Sequence, residues 1–436
     1  MMMIHGENNF NFTLIKEPNC YLATVTIPSA SVDALYQEAL LAQKAEAQTY
    51  GFTKGTTPLY YIENTFRPNI VEHLKELLFT HCVMNFLCHS LSKNKIVVAG
   101  EPALIDIILT PASAAQFVFG INSLVPDGED RWKRLVLKAP ERKHYKDLDR
   151  QVESFIKEET TKQQSHDDTT IHIGDWVCFD LYLVDKNDKP LLGGYRDQLW
   201  VKINEEEADR ELHELFIGKK VGDTFLSKSS FLQMYLSNDL NMHYTFGIHI
   251  KDSIAHAYFS FDHFKRHFSL KNARDMHQKL IEVFSHRNDL SQRRETVEAT
   301  FKLLLKHYFI PVPQALLERQ KQLVLSTVHD NPDYHVYKAQ ADFKEKVKLL
   351  AEKQLKESLI IDTIAYQENI QVSHDDILTY LNLIKRPRTK EFVYFGMPST
   401  NLKGQEIPLP TEVIKQYCLR EKTLNHVIHY LTKKNK

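Results

Sequence analysis

Apolar and polar positions alternate through "NFTLIKEPNCYLATVTIP" on both sides of Pro18 and Asn19, a period of two that predicts two strands joined by a turn. Ser31, with Asp33 in the first turn, then reads as the cap of a helix running to about Gln48. The loop "TYGFTKGTTPLYY", Thr49 to Tyr61, interrupts the helical pattern with two glycines and a proline. A second helix follows from about Tyr60 to Leu91, then two short strands, "LIDIIL" and "QFVFGI".

From Asp127 to Thr170 the chain is highly charged, with a helical pattern from about Lys146 to Lys162, and reads as a connecting arm ending in a polar linker. Strand alternation returns in "IHIGDWVCFDLYLVDKNDKPLLGG", with a turn at Lys186–Pro190, and strand-like pieces recur to about Ile254. That is a β-rich unit of roughly ninety residues, within the usual domain range. After Ala255 the pattern is nearly all helical. Phe343, Val347, Leu350, Ile361 and Ile364 mark one face of a helix from about Val336 to Glu368, and Leu316, Leu323 and Val324 mark another. Ser373 with Asp376 caps a third, and Thr411 starts the last. These stripes are narrow and broken by Gln, Lys and His, which suits arms and small bundles better than a deep enzyme core. The expected fold class is therefore α+β and multidomain. Its parts are an N-terminal α+β unit (1–126), a linker arm (127–168), a β-rich unit (169–255) and a helical C-terminal region (256–436).

Composition narrows the options. A chain of 436 residues is too long for one core and suggests two to four domains. Lys and Arg number 55 against 56 Asp and Glu, so an anionic partner must be met by a local patch rather than by net charge. Five scattered cysteines suit a reducing compartment without a disulfide framework. The start, "MMMIHGENNFNF", has no basic segment followed by an apolar run, so no secretory signal is expected. No stretch approaches the ~18 apolar residues of a membrane span. A cytoplasmic location without membrane contact is the expectation.

"GFTKGTTP", Gly51 to Pro58, resembles the GFRxGxxP signature of bacterial trigger factors, chaperones that sit at the ribosomal exit tunnel. The order of parts around it is also similar: a β-hairpin, two helices flanking the loop, a linker, an FKBP-like unit and a helical C-terminal region. "IPVPQALLERQKQLVL" resembles the family's helix-opening segment in that last region. The resemblance implies a holdase chaperone. Its partners would be the large ribosomal subunit at the exit tunnel, through protein and ribosomal RNA, and unfolded nascent polypeptides. It allows a homodimer when the chain is free, and it implies no cofactor.

The loop chemistry fits a hook. Gly51 and Gly55 permit the positive-φ turns that push a tip into solvent, and Pro58 stiffens the exit. Phe52 supplies an apolar anchor, and Lys54 a charge for a phosphate or an acidic protein patch. The competing reading is a plain helix–helix connection whose Phe52 folds back on the core. The family's arginine is Thr53 here, which removes a planar multi-donor fork and predicts weaker or more salt-sensitive docking.

"GDWVCFDL" and "GKKVGDTF" are similar to strand-and-turn segments of the FKBP-like unit. A prolyl isomerase must lower a rotation barrier of about 18–20 kcal/mol by favouring the twisted amide in a dry aromatic pocket. By that resemblance Tyr235 and Phe246 stand where the family keeps wall aromatics, or else are plain core aromatics. Leu181 and Leu191 replace aromatic rings, Leu192 replaces an acidic neighbour, and His213 falls at the aromatic floor beside Arg210. The pocket is thus expected to be eroded and wet, with little or no isomerase activity. The alternatives are an active FKBP-type isomerase with helical recruiting domains, and a non-ribosomal scaffold.

Other clusters carry less. His81, Cys82, Cys88 and His89 are spaced about two helical turns apart, too far for one helix to close a tetrahedral site, and Cys82 and Cys88 read as small buried residues. His263/His267 and His426/His429 have helical spacing but are expected among 21 histidines by chance, so no metal site is assigned. Phosphate-binding glycine loops and common hydrolase motifs are missing from the sequence. "KRPRTKEF", Lys385 to Phe392, reads as a solvated basic loop, with an RNA contact as the minor alternative.

Overall fold

The computed structural model describes residues 10–17, 20–123, 130–140, 147–165, 170–236, 243–287, 289–329, 331–402 and 404–433. The expected turn at Pro18 and Asn19, the start of the charged segment at Asp127 and the helix start at Lys146 lie outside the described residues. The architecture is multidomain α+β. No helix among the described residues is long and apolar enough to cross a membrane.

The first unit is an antiparallel sheet of order β1-β2-β4-β3 covered on one face by helices. Strands β1 (Asn11–Lys16) and β2 (Cys20–Ile27) form the expected hairpin. Helix α1 (Ser29–Glu46) buries Val32, Leu35, Tyr36, Ala39 and Leu40, the spacing of one helical face. Its start differs from expectation. Pro28 occupies the N-cap without a side-chain bond, and Ser31 is buried inside the first turn, because proline's fixed φ suits the entry to a helix. The expected single second helix is α2 (Leu59–Leu77), a π-turn (Leu78–Val83) and α3 (Met84–Lys93) in one continuous rod. Strand β3 (Ala103–Ile108) lies at the edge of the sheet, and β4 (Ala115–Asn122) turns Phe117, Phe119 and Ile121 into the core.

The charged arm is anchored rather than free. The 3-10 turn Arg131–Arg134 drives Trp132 fully into the helical C-terminal core, where Tyr308 Oη accepts its backbone N–H at 3.0 Å and Tyr430 packs edge-on at 5.0 Å. Helix α4 (Leu148–Ser165) buries Leu148 and Val152 against the helices that follow Ala255.

Strands β5 (Trp176–Val184) and β6 (Asp197–Lys202), a 3-10 turn (Glu207–Asp209), α5 (Arg210–Phe216), β7 (Thr224–Ser227), α6 (Ser230–Leu236) and β8 (Thr245–Ile254) build the β-rich unit. Its central strand β5 is buried on both faces, which explains the nearly unbroken apolar run "WVCFDLYLV". Val177, Phe179, Leu181 and Leu183 share a core with α5 and the N-terminal unit, whereas Trp176 and Cys178 pack on C-terminal helices.

The C-terminal region begins with α7 (Phe261–His267), α8 (Ala273–Phe284), a small ribbon of β9 (His286–Arg287) and β10 (Leu290–Ser291), and α9 (Gln292–His307). A helical hairpin follows, of α10 (Gln314–His329), the exposed single turn α11 (Tyr334–Lys338) and the first half of α12 (Phe343–Gln367). The expected helix from Val336 is thus two helices. Ser373 and Asp376 form the predicted capping box of α13 (His374–Ile384), which leads to the short α14 (Pro387–Lys390). A ribbon of β11 (Asn401–Leu402) and β12 (Gln405–Glu406) precedes β13 (Leu409–Pro410), and Thr411 opens α15 (Thr411–Lys433). Strand β13 pairs with β6, so the sheet of order β13-β6-β5-β8-β7 takes an edge strand from far along the chain. Proline at that position is tolerated because the strand is at an edge.

The basic run is solvated only in part: Arg388 and Lys390 are exposed, whereas its first two cations turn inward. Lys385 is buried, and its Nζ donates to the Ala255 carbonyl at 2.9 Å and the Tyr258 carbonyl at 2.5 Å. Arg386 bonds the His256 and Ala257 carbonyls at 3.0 Å and pairs with buried Glu159 at 2.5 Å. Arg388 lies 3.6 Å from the Phe284 ring centroid. Lys385 and Arg386 thus staple the exit of the β-rich unit to α4 and α13. Desolvation, and after it the adjacent positive charge of Arg386, lowers the Lys385 pKa to about 7.

Candidate functional site

The loop after α1 is built from two turns in series. Phe52 N–H donates to the Thr49 carbonyl at 3.2 Å, and Thr56 N–H to the Thr53 carbonyl at 3.0 Å. Gly51 and Gly55 take φ of 83° and 82°, and a Cβ at either would meet nothing within 4 Å. The base is pinned by the Thr49 and Thr57 hydroxyls, 2.5 Å apart, with Thr57 buried. Pro58 then forms the N-cap of α2.

The tip stands in solvent. Phe52 is 40% exposed and leans on Tyr61 with ring centroids 5.7 Å apart, so it does not fold into the core. Lys54 Nζ pairs with Glu46 Oε2 at 2.6 Å, and that bond holds the Glu46 carboxyl below its usual range. Thr53 is exposed, its hydroxyl 3.0 Å from that of Thr56. Tyr50, 99% exposed, and Tyr60, 68% exposed, join the tip without having been singled out in the sequence. Their signal is adjacency: Tyr50 stands beside left-handed Gly51, and Tyr60 follows the proline exit on the side of α2 opposite buried Ile62.

A second feature lies between α3 and the C-terminal helices. A cleft of about 2260 Å³ is walled by α3, α10, α12, the segment Tyr394–Asn401 and the start of α15. Small-ligand pockets run to about 1000 Å³, so this space is of polypeptide scale. Leu323 and Leu350, 44% and 41% exposed, lie on its wall beside Arg319, Gln354 and Arg420. Their stripe partners Val324 and Val347 instead fill the hairpin core with Leu317 and Ala351. Two cationic ties hold the walls. Arg319 meets Glu101 Oε2 at 2.9 Å, and Arg420 meets both Asp362 oxygens at 2.9 and 2.8 Å.

The third candidate is the pocket of the β-rich unit. Leu181, Leu183, Leu192, Tyr195, Asp197 and Phe246 line it, but Leu77, His81 and Cys82 of the N-terminal rod close it, leaving a volume of about 30 Å³. That is room for about one water. Tyr235 is half-buried, its ring 4.6 Å from that of His81. Leu191 is buried beside this pocket's core.

The expected wet floor is corrected. His213 points away from the pocket and bonds the Asn204 carbonyl, and Arg210 pairs with Glu214 on the surface at 3.3 Å. Helix α5 instead buries Leu212, Leu215 and Phe216, with Phe216 against Phe179 at 4.9 Å. On α5 it is thus Leu212 and Phe216, not His213, that join the core shared with the pocket residues.

Asp197 is the acidic group lining this pocket. Asn85 Nδ2 donates to its Oδ1 at 2.7 Å, while Oδ2 is buried without a donor in hydrogen-bond geometry among the described residues. Desolvation raises its pKa to about 8, against smaller opposing effects of Asn85 and the Tyr235 hydroxyl. Burial also lowers His73 and His81 to about 4. A folded carboxyl that keeps its proton to about pH 8 gives stability that is full below the unfolded value of 3.8 and is lost as pH rises from there through 8. The two histidines act oppositely, losing stability as pH falls from 6.5 to about 4. Asp197→Asn keeps the Asn85 bond and removes the first loss. We expect its melting temperature to exceed the parent's by about 5 °C at pH 8 and by little at pH 4.5, on the order of 3 kcal/mol at the higher pH. Calorimetry at the two pH values checks it.

His81 and His89 turn to different neighbours. His89 Nδ1 faces Glu412 at 3.5 Å, and no group of metal-ligating side chains forms among the described residues. His267 Nε2 meets Asn425 at 3.1 Å, and His426 packs on Trp132. Cys82 is buried as expected, but Cys88 is exposed.

Comparison with known proteins points one way. The family described as "Bacterial trigger factor protein (TF)" matches residues 10–157, and "Bacterial trigger factor protein (TF) C-terminus" matches residues 273–386. A trigger factor of Salinibacter ruber is 23% identical over 369 residues, covering 79% of this chain and 78% of that protein. One from Ureaplasma urealyticum serovar 10 is 23% identical over 302 residues, 65% of this chain and 61% of that protein. One from Geotalea uraniireducens is 25% identical over 213 residues, 47% and 49% respectively. A solved structure described as "Promiscuous Substrate Recognition in Folding and Assembly Activities of the Trigger Factor Chaperone" aligns with 97% of this chain and all of that one, at 14% identity and a TM-score of 0.36.

Proposed function

This chain is a divergent member of the trigger factor family of chaperones, and from that premise we propose that it is a cytoplasmic, ribosome-associated holdase for nascent polypeptides. Residues 1–126 would dock it, 127–168 connect, 169–255 form a degenerate FKBP-like unit and 256–436 hold clients. The observation that carries this reading is the solvent-borne tip of Tyr50, Phe52 and Lys54 on a pinned base. Gly51, Gly55 and Pro58 fix its shape, while the aromatic rings offer anchors and Lys54 a charge for ribosomal RNA or protein at the exit tunnel.

The cleft supports the holding role. A holdase must release what it binds, so its contacts should be weak and distributed. Leu323 and Leu350 set among Gln and Arg side chains give that kind of wall. Leu323→Asp with Leu350→Asp is expected to raise by at least about threefold the chaperone needed to suppress aggregation of an unfolded client. Ribosome pelleting should stay unchanged. Light scattering of a refolding client checks the first, and equal loss of both activities would show that the substitutions merely disrupt the fold.

Isomerase activity is expected to be slight. By the family resemblance Leu181 and Leu191 stand where rings would grip a proline and Leu192 replaces an acidic neighbour, and the N-terminal rod fills the rest. The second reading, an active FKBP-type isomerase, is favoured only by Tyr235 and Phe246 still bordering the pocket. A fast rate on a proline-containing peptide, abolished in Tyr235→Ala, would establish it.

A further inference from the structure

The contact that closes the pocket of the β-rich unit is made by an unusual piece of helix. Between α2 and α3 the chain forms a π-turn, a widened turn that is rare in proteins and often marks functional sites. Together with Leu77, the last residue of α2, its His81 and Cys82 meet Leu181, Leu183, Leu192 and Phe246. Polar bonds latch it there. Tyr195 Oη donates to the His81 carbonyl at 2.8 Å, Asn85 Nδ2 reaches Asp197 at 2.7 Å, and His73 Nε2 meets Tyr244 Oη at 2.9 Å.

A permanent interface gains most from apolar packing. Beside its apolar contacts this one desolvates His73, His81 and the Asp197 carboxyl, which makes it dearer to close and easier to release. Interfaces between domains of one chain are separable by default unless they are large and apolar.

We propose that the π-turn is a lid held in cis: in the free chain it occupies the pocket of the β-rich unit, and displacing it uncovers an apolar peptide-binding groove. The lid rests on the FKBP-like reading of residues 169–255 only for the chemistry of the groove, and it depends neither on ribosome docking nor on catalysis.

Cysteine modification of the full chain tests it. Cys82 lies in the lid, while Cys178 and Cys418 are buried on the opposite side of the sheet and report global opening. Burial keeps all three thiols protonated and slow to react. In Asn85→Ala with Tyr195→Phe, N-ethylmaleimide should modify Cys82 at least about tenfold faster, with Cys178 and Cys418 unchanged. Tyr195→Phe alone, the milder variant, should give about threefold. The latch-broken chain should also bind a fluorescein-labelled apolar proline tetrapeptide at least about tenfold more tightly than the parent, and Phe246→Ala should abolish that gain. An unchanged Cys82 rate, or all three thiols rising together in both variants, would overturn the lid. Lid opening without peptide binding would overturn the groove and, with it, the FKBP-like reading of the pocket.

Discussion

Replacing Phe52 and Lys54 together by alanine should weaken ribosome binding by about 30-fold, which corresponds to roughly 2 kcal/mol and is the scale of one aromatic anchor plus one phosphate contact. The fold should not respond. Phe52 leans on Tyr61 and Lys54 pairs with Glu46 within the same exposed corner, so the melting temperature should move by about 1 °C at most. Co-sedimentation across a ribosome titration measures the loss. Glu46→Gln separates the two contributions. It frees Lys54 and should tighten binding severalfold at low salt, with the gain disappearing as salt screens it. Tyr50→Ala should add to the loss, because that ring is already fully outside the chain's own packing.

Arg293→Ala should cost about 3–5 kcal/mol of stability, the usual result of leaving a buried charge without its partner. Arg293 is almost wholly buried, donating to Asn425 Oδ1 at 2.5 Å and to the Phe392 carbonyl at 3.4 Å. It lies 3.8 Å from Glu421 Oε2, an oxygen with no hydrogen bond of its own among the described residues. The other Glu421 oxygen accepts the backbone N–H groups of Tyr394 and Phe395, whose segment walls the cleft. Desolvation raises the Glu421 carboxyl while Arg293 opposes it, so loss of the guanidinium leaves an acid that must take up a proton or water. Denaturant unfolding of the C-terminal region measures the cost, and client holding should fall with it. Arg293→Met combined with Glu421→Gln should recover most of the stability, since neither buried charge remains. If the double variant were as unstable as Arg293→Ala, packing volume rather than charge would be responsible.

What sequence made legible was local. The hairpin, the existence of helix α1, the positive-φ glycines and the Ser373 capping box each depend on residues within a few positions of one another. What it hid was decided by distant partners. Lys385 and Arg386 look like a soluble basic run until the carbonyls of residues 255–258 are placed beside them. Leu323 and Val324 look alike as stripe residues, and only the neighbouring helix decides that one faces the cleft and the other the core. Strand β5 reads as alternating, yet both its faces are covered by other units. His213 departs from expectation for a related reason: a short strand match sets the register of the following helix poorly, and a one-position slip turns a side chain through about 100°. The lid is the extreme case, since its two halves lie more than a hundred residues apart.

Sedimentation of the purified full chain with vacant ribosomes tests most directly the proposed docking of this chaperone through its glycine-pivoted tip. The chain should pellet at low salt and be released progressively at moderate salt, because Thr53 stands where the family's arginine would add a bidentate contact. A chain that stays in the supernatant at both salt concentrations would contradict the account.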